Sequence, residues 1–174
     1  TNDDAHVKHT GSTFQLINDT GSIQIRNNAN DSDVIIQTDD SSGGITQYFR
    51  ADGSTGESLL YHYGTEKIKT TSTGATVTGD LEILSTDAGA SEDPNLVLYR
   101  NSSSPADDDN IGTIQFKGRN DNSQDVIYGE IQSIIQDASD TTEDSALSLQ
   151  VRKAGSATTF VNLSGAAGRV NIQQ

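Results

Sequence analysis

Two histidines near the start of the chain are the first residues whose type and spacing suggest chemistry. His6 and His9 stand in the run His-Val-Lys-His, and imidazole nitrogens are common ligands of transition metals. In a β-strand, however, residues three apart face opposite sides, so the two rings would not converge on one ion. We therefore predict no metal site at these histidines.

Two groups of aspartates carry the hard oxygen ligands that calcium prefers, namely Asp107–Asp109 and the pair Asp121 and Asp125. An EF-hand loop places a bidentate Glu at its twelfth position. Counted from the first aspartate of each group, that position holds Gly118 and Gln132, respectively. We therefore interpret both groups as solvated loop acids, and we predict neither a metal site nor a cofactor.

Catalytic signatures are sparse. Covalent and acid–base catalysis need an activated nucleophile or a positioned acid and base. The chain has no Cys and three His, and it lacks the Gly-x-Ser-x-Gly elbow of serine hydrolases. A pair of carboxylates of the glycosidase type stays open, because its geometry depends on the fold. We predict that the protein is not an enzyme and has no catalytic residues.

The densest aromatic group consists of Tyr48, Tyr61, His62 and Tyr63. Aromatic rings can stack on sugars, so these residues are candidates for contact with a receptor glycan. In a strand Tyr61 and Tyr63 would share a face, and packing against a neighbouring strand or chain would explain them equally well. Both interpretations stay open at this stage.

The elements that would carry these residues are strands. Strand patterns recur every eight to twelve residues between Gly, Asn, Asp and Ser, as in all-β proteins. The predicted strands are Phe14–Ile17, Ser22–Arg26, Val34–Gln37, Ile45–Arg50, Ser58–Tyr63, Lys67–Thr71, Ala75–Thr78, Leu81–Leu84, Leu96–Arg100, Gly112–Lys117, Val126–Ile135, Leu147–Arg152, Thr159–Leu163 and Arg169–Ile172. Ile127, Ile131, Ile134 and Ile135 also fit a helical spacing, but their β-branching and the internal Gly129 favour a long, bent strand.

Composition limits the size of the core. Leu, Ile, Val and Phe together number 37 of 174 residues, which approaches the level at which chains stay disordered. Burial against further copies of the same chain would resolve this shortage. The net charge of −14 makes nucleic-acid binding improbable. The chain contains no run of eighteen apolar residues, so we predict no membrane insertion.

One hairpin pattern occurs twice. Residues 14–25 align with residues 161–172, each as a short strand, a turn closed by Gly and a second short strand. A hairpin of this size cannot bury its own apolar face, whereas three chains around an axis can. The predicted trimer core consists of Phe14, Leu16, Ile23, Ile25, Val77, Leu81, Ile83, Leu163, Val170 and Ile172.

Two stretches of sequence resemble segments of bacteriophage tail fibres, in particular those of marine phages and cyanophages. The first is Thr65–Ile83, in which a lysine-rich strand is followed by a Thr/Ser run, Gly and Thr-Gly. The second joins Leu98-Tyr-Arg-Asn-Ser-Ser-Ser-Pro to Ile111-Gly-Thr-Ile-Gln-Phe-Lys-Gly and Tyr128-Gly-Glu-Ile. The resemblance covers about residues 45–174 and implies a homotrimer on the virion that reaches or binds the host surface.

Together these observations predict an all-β homotrimer with intertwined chains. A shaft-like region of short strands and Gly turns would cover 1–84, an irregular linker 85–94 and a compact, β-sandwich-like unit 95–174. We expect an extracellular fibre segment on the virion. Its partners would be copies of itself, other tail proteins and a host cell-surface glycan. The alternative is a monomeric carbohydrate-binding β-sandwich from a larger secreted protein.

Overall fold

The computed structural model describes residues 5–90 and 92–173, and within them the protein is all-β, without a helix. No helix in this part is therefore long and apolar enough to cross a membrane. The strands are β1 (Ala5–His9), β2 (Phe14–Asn18), β3 (Val34–Asp39), β4 (Ile45–Ala51), β5 (Ser58–His62), β6 (Thr65–Thr71), β7 (Gly74–Val77), β8 (Asn110–Arg119), β9 (Asp125–Asp137), β10 (Asp144–Lys153), β11 (Ser156–Ser164) and β12 (Arg169–Ile172).

The strands form three antiparallel sheets. β1 and β2 form a two-stranded ribbon; β3 to β7 form a five-stranded sheet in sequence order, and β8 to β12 form another. Each strand therefore pairs with its neighbour in the chain, as in a meander. The contacts divide the chain between Glu82 and Ile83. We call the N-terminal part unit 1 and the C-terminal part unit 2, and each is described by itself.

The all-β prediction is confirmed, and eleven of the observed strands were predicted within a few residues. Ile127 to Ile135 lie in β9, so the strand interpretation is confirmed and the helical one is wrong. Sequence analysis did not predict β1.

Three predicted strands are wrong, because Ser22–Arg26, Leu81–Leu84 and Leu96–Arg100 have no regular structure. A strand needs a neighbour, and none lies beside these segments in the chain's sheets. Among the described residues no backbone hydrogen bond holds 22–26 or 81–84. These segments therefore have the apolar alternation of a strand but not the backbone hydrogen bonds of a sheet.

The repeated hairpin is found once. In residues 161–172 the pattern folds as predicted, with Val161 opposite Ile172 and Leu163 opposite Val170. The corresponding prediction for residues 14–25 is wrong, since Phe14 pairs back to His9 in β1. The β-sandwich prediction for unit 2 is also wrong, because the described residues of unit 2 form one sheet and a sandwich needs two.

Tight turns set the register of two hairpins. Tyr63 and Gly64 between β5 and β6 have φ angles of 47° and 76°, and Ala154 and Gly155 between β10 and β11 have 48° and 83°. Two successive residues with positive φ form the type I′ turn, whose twist matches that of antiparallel strands. Glycine takes this conformation without steric cost, which explains its place at the second position.

Candidate functional site

The sheet of unit 1 carries an apolar row across all five strands. Ile36 lies opposite Phe49, Phe49 opposite Leu60, Leu60 opposite Ile68 and Ile68 opposite Val77. Directly opposite residues point to the same face of a sheet. All of these side chains except the half-buried Phe49 are exposed in the single chain. We call them the apolar row of unit 1.

The sheet of unit 2 has a larger face of the same kind. Its central row follows the register from β8 to β12, and flanking residues two positions away along each strand share its face. The apolar face of unit 2 is defined by Ile114, Phe116, Ile131, Leu147, Leu149, Val151, Val161, Leu163, Val170 and Ile172. None of these side chains carries a charge, and their exposed fractions reach 69% at Ile172.

The opposite face of unit 2 is polar and internally hydrogen-bonded. The Gln150 amide donates to Gln132 at 3.2 Å, and Gln132 donates to Asn110 at 3.0 Å. Ser148 lies beside Gln132 and is 5% exposed, and Ala146 lies beside Ile134 and is 7% exposed. This face forms its side-chain hydrogen bonds within one chain.

The opposite face of unit 1 shelters Leu59. This side chain is 3% exposed and lies directly between Arg50 and Lys69 on the adjacent strands. The long aliphatic stems of Arg and Lys can cover apolar surface while their charged ends stay in water. Lys69 is held by Glu57 at 3.7 Å. In both units, therefore, the buried strand residues lie on the face opposite the apolar one.

Asp52 anchors the turn that follows β4. Its carboxylate accepts hydrogen bonds from the Ser54 hydroxyl at 2.7 Å and from the amides of Ser54 and Thr55 at 2.9 Å, and it contacts the Arg50 guanidinium. These donors, the Ser54 hydroxyl first, hold the pKa of Asp52 well below its usual range. The cluster fixes the turn.

The accessible surface is large for a chain of this mass. Two separate compact units, each of half the chain mass, would together expose about 9,900 Å². The accessible surface of this chain is 13500 Å². Among the described residues, the hydrophobic side chains that are buried are Leu59 and Ala146, at 3% and 7% exposure. Neither unit thus encloses a core of the usual size.

The predicted trimer-core residues fall into three groups. Val77 belongs to the apolar row of unit 1, and Leu163, Val170 and Ile172 belong to the apolar face of unit 2. The remaining ones lie elsewhere: Phe14 and Leu16 in β2, and Ile23, Ile25, Leu81 and Ile83 in segments without regular structure. All of them are exposed in the single chain.

The aromatic residues lie near the turn between β5 and β6. The rings of Tyr48 and Tyr63 are 5.9 Å apart between centroids, and those of His62 and Tyr63 are 4.8 Å apart, both edge to face. The Tyr48 hydroxyl donates to the Asp39 carbonyl at 3.1 Å. Desolvation, followed by the neighbouring Tyr63, raises the pKa of Tyr48.

The expectation that Tyr61 and Tyr63 share a strand face is wrong, because β5 ends at His62 and Tyr63 is a turn residue. Three aromatic rings are therefore brought together at this turn, and Tyr61 lies apart on β5. Tyr63 is half-exposed, at 49%, and His62 is exposed as well.

The aspartates considered as calcium ligands are engaged in local contacts. Asp107 accepts from the Ala138 amide at 2.9 Å, Asp109 pairs with Arg100 at 3.0 Å, and Asp125 pairs with Arg119 at 3.1 Å. His6 and His9 both lie in β1, three residues apart. In the described part of the chain no three acidic or histidine side chains are grouped as metal ligands.

Sequence analysis missed most of both apolar surfaces. Ile36, Phe49, Leu60 and Ile68 were assigned to strands but not to a common row, because the register that aligns them cannot be read from spacing. The alternation of Leu147, Leu149 and Val151 with polar residues predicts one buried face on this strand, but it does not identify the rows to which these residues belong.

Comparison with protein-family models and with curated proteins found no match for this chain.

Proposed function

We propose that this chain is a segment of a homotrimeric virion fibre, of the bacteriophage tail-fibre kind, that acts without catalysis. One observation carries the proposal. The chain has two five-stranded sheets, each with an exposed apolar face, and among the described residues it buries one large hydrophobic side chain, Leu59. An exposed apolar patch of this extent marks an interaction surface in a stable protein.

The number three and the virion location come from the resemblance of residues 45–174 to marine phage fibres. The chemistry of the surface is compatible with that setting. A net charge of −14 keeps the outer surface soluble and disfavours nonspecific contacts, while the apolar faces supply close packing between identical chains. Such a fibre would also bind other tail proteins and a host-surface glycan.

Light scattering at low protein concentration tests the assembly. We expect a particle with three times the chain mass of 18.5 kDa, stable on dilution because obligate interfaces of this apolar character dissociate slowly. A monomer of 18.5 kDa that unfolds cooperatively would contradict the proposal and would favour the monomeric carbohydrate-binding module.

For attachment, we propose that the aromatic group at the β5–β6 turn contacts a host glycan. Tyr63→Ala should weaken binding to whole host cells or to a glycan array, because an exposed ring at this turn is free to stack on a sugar. Tyr128→Ala is the matched control, since Tyr128 is exposed to a similar degree, 46%, and lies in unit 2. Equal binding by both variants would exclude the turn as the contact.

A further inference from the structure

We infer that copies of this chain pack against one another through the apolar face of unit 2. The inference rests on the proposed function and adds to it the surface that holds the assembly together. The occupant of the face is a second copy of the same chain, and the residues at its centre are Leu149 and Ile131, directly opposite each other on β10 and β9.

The first argument is the contrast between the two faces of one sheet. Between Gly112 and Phe116 on β8, and opposite them on β9, every residue that points to the apolar face is uncharged. The other face connects its amides in a chain of hydrogen bonds, from Gln150 through Gln132 to Asn110. A single-layer sheet with one satisfied polar face and one bare apolar face needs a cover for the second.

The second argument is area. The accessible surface of 13500 Å² exceeds that of two compact units of the same total mass by about 3,600 Å². Stable obligate interfaces bury about 2,000–5,000 Å² in total. Each partner contributes about half of that area, so the excess of one chain is more than enough for a permanent interface, although unit 1 and the irregular segments hold part of it.

The third argument is charge. Every copy carries a net charge of −14, so copies repel one another wherever acidic surfaces meet. An uncharged face is where identical acidic chains can approach closely.

The apolar row of unit 1 is the weaker candidate. It crosses five strands that are four to seven residues long, whereas β8 to β11 of unit 2 are nine to thirteen residues long. The sheet of unit 1 therefore offers a smaller face. Unit 1 also has its one buried leucine on the opposite face, covered by Arg50 and Lys69, so its stability depends less on a cover for the row.

Two neighbouring substitutions in β12 provide the test. Ile172 and Asn171 are adjacent and both exposed in the single chain, but they point to opposite faces. In an isolated chain, Ile172→Glu and Asn171→Glu would be equally tolerated. With copies packed on the apolar face, only Ile172→Glu buries an unpaired charge, and it should raise the concentration for half-dissociation by about tenfold or more. Sedimentation of the full chain measures both.

A second measurement does not depend on the folding of a charged variant. The natural chain has no Cys, so Leu149→Cys introduces a single thiol on a side chain that is 42% exposed in one chain. In the assembled protein this thiol should react with a maleimide far more slowly than the thiol of Asn171→Cys. Mild denaturant that dissociates the copies should equalise the two rates.

The outcomes separate this inference from the proposed function. If the natural chain is monomeric, the proposed function fails and this inference with it. If the natural chain is a trimer but Ile172→Glu behaves like Asn171→Glu and the thiol at position 149 reacts fast, the inference alone is overturned and another surface holds the trimer. A trimer with selective loss in Ile172→Glu and a protected thiol at position 149 supports both.

Discussion

The two five-stranded sheets have the same meander order and the same kind of apolar row, but they stabilise their opposite faces differently. Unit 1 uses charges: Arg50 between Asp33 and Asp52, and Lys69 beside Glu57, cover one buried leucine. Unit 2 uses mainly side-chain amides, with one carboxylate, Glu130, accepting from Gln115. The difference indicates that unit 1 has more internal support of its own, while unit 2 depends more on whatever covers its apolar face.

The largest expected effect is at Leu59, the large side chain that unit 1 buries at 3% exposure. Leu59→Ala should destabilise unit 1 by about 2–5 kcal/mol, since it removes a buried side chain and leaves a cavity. Hydrogen exchange should show faster amide exchange across β4 to β6, with β9 to β11 little changed. Equal acceleration in both units would show that they unfold together.

A smaller effect is expected at Gly53, in the turn that Asp52 anchors. A Cβ at this position would lie 2.3 Å from the Ser32 carbonyl oxygen, so backbone must move to accept it. Gly53→Ala should cost unit 1 about 1–3 kcal/mol, the range for overpacking. Gly118→Ala in β8 serves as the control, since a Cβ there would lie 3.3 Å from the Tyr128 ring and would meet no backbone atom. Thermal melts of both variants measure the difference, and equal melting temperatures would contradict the steric account.

The response to acid should report on the Asp52 cluster of unit 1. Asp52 has a pKa lowered by its hydrogen bonds, so its carboxylate stabilises the fold at pH values above about 3.9, the ordinary pKa of Asp. That stabilisation is lost as the pH falls below 3.9 towards the lowered pKa. Asp52→Asn should therefore be less stable than the natural chain at pH 7, and the gap should narrow in acid.

Chemical denaturation at several pH values would measure this trend. The exposed Asp125, which pairs with Arg119 at the surface of unit 2, supplies the control substitution Asp125→Asn. A gap between Asp52→Asn and the natural chain that stays constant from pH 7 into acid would show that the carboxylate charge does not stabilise unit 1.

The smallest effect is expected for that surface pair itself. Arg119 and Asp125 lie 3.1 Å apart, but their side chains are 71% and 77% exposed. Pairs of this kind contribute about 0–1 kcal/mol and are screened by salt. Arg119→Ala should shift the denaturation midpoint little, and the shift should vanish in high salt. A large, salt-independent loss would mean that Arg119 is buried in the assembled protein.

The sequence was sufficient for the all-β class and for the central parts of most strands, because alternation and turn residues act locally. It failed at Ser22–Arg26, Leu81–Leu84 and Leu96–Arg100, where the alternation is present but no strand of this chain lies alongside. It also failed to align Ile36 with Val77 across five strands, because β-bulges at Ile36/Gln37 and Leu60/Tyr61 shift the register. Pairing partners are non-local, and spacing along one strand does not contain them.

The sequence predicted only part of the candidate site, again because strand pairing is non-local. Leu163, Val170 and Ile172 were found because they belong to one hairpin, whose two strands are close in sequence. Leu149 and Ile131 join them only through the ladder of β9, β10 and β11. The aromatic turn was found from composition, but the placement of Tyr63 in the turn depends on its positive φ.

Electron microscopy of the purified chain tests the central claim most directly, because it reports both the number of copies and their symmetry. We expect particles with three-fold symmetry in which β8 to β12 of each copy turn their apolar face towards the axis. Particles of a single chain, or a symmetric assembly with the apolar face of unit 2 on its outer surface, would contradict the account.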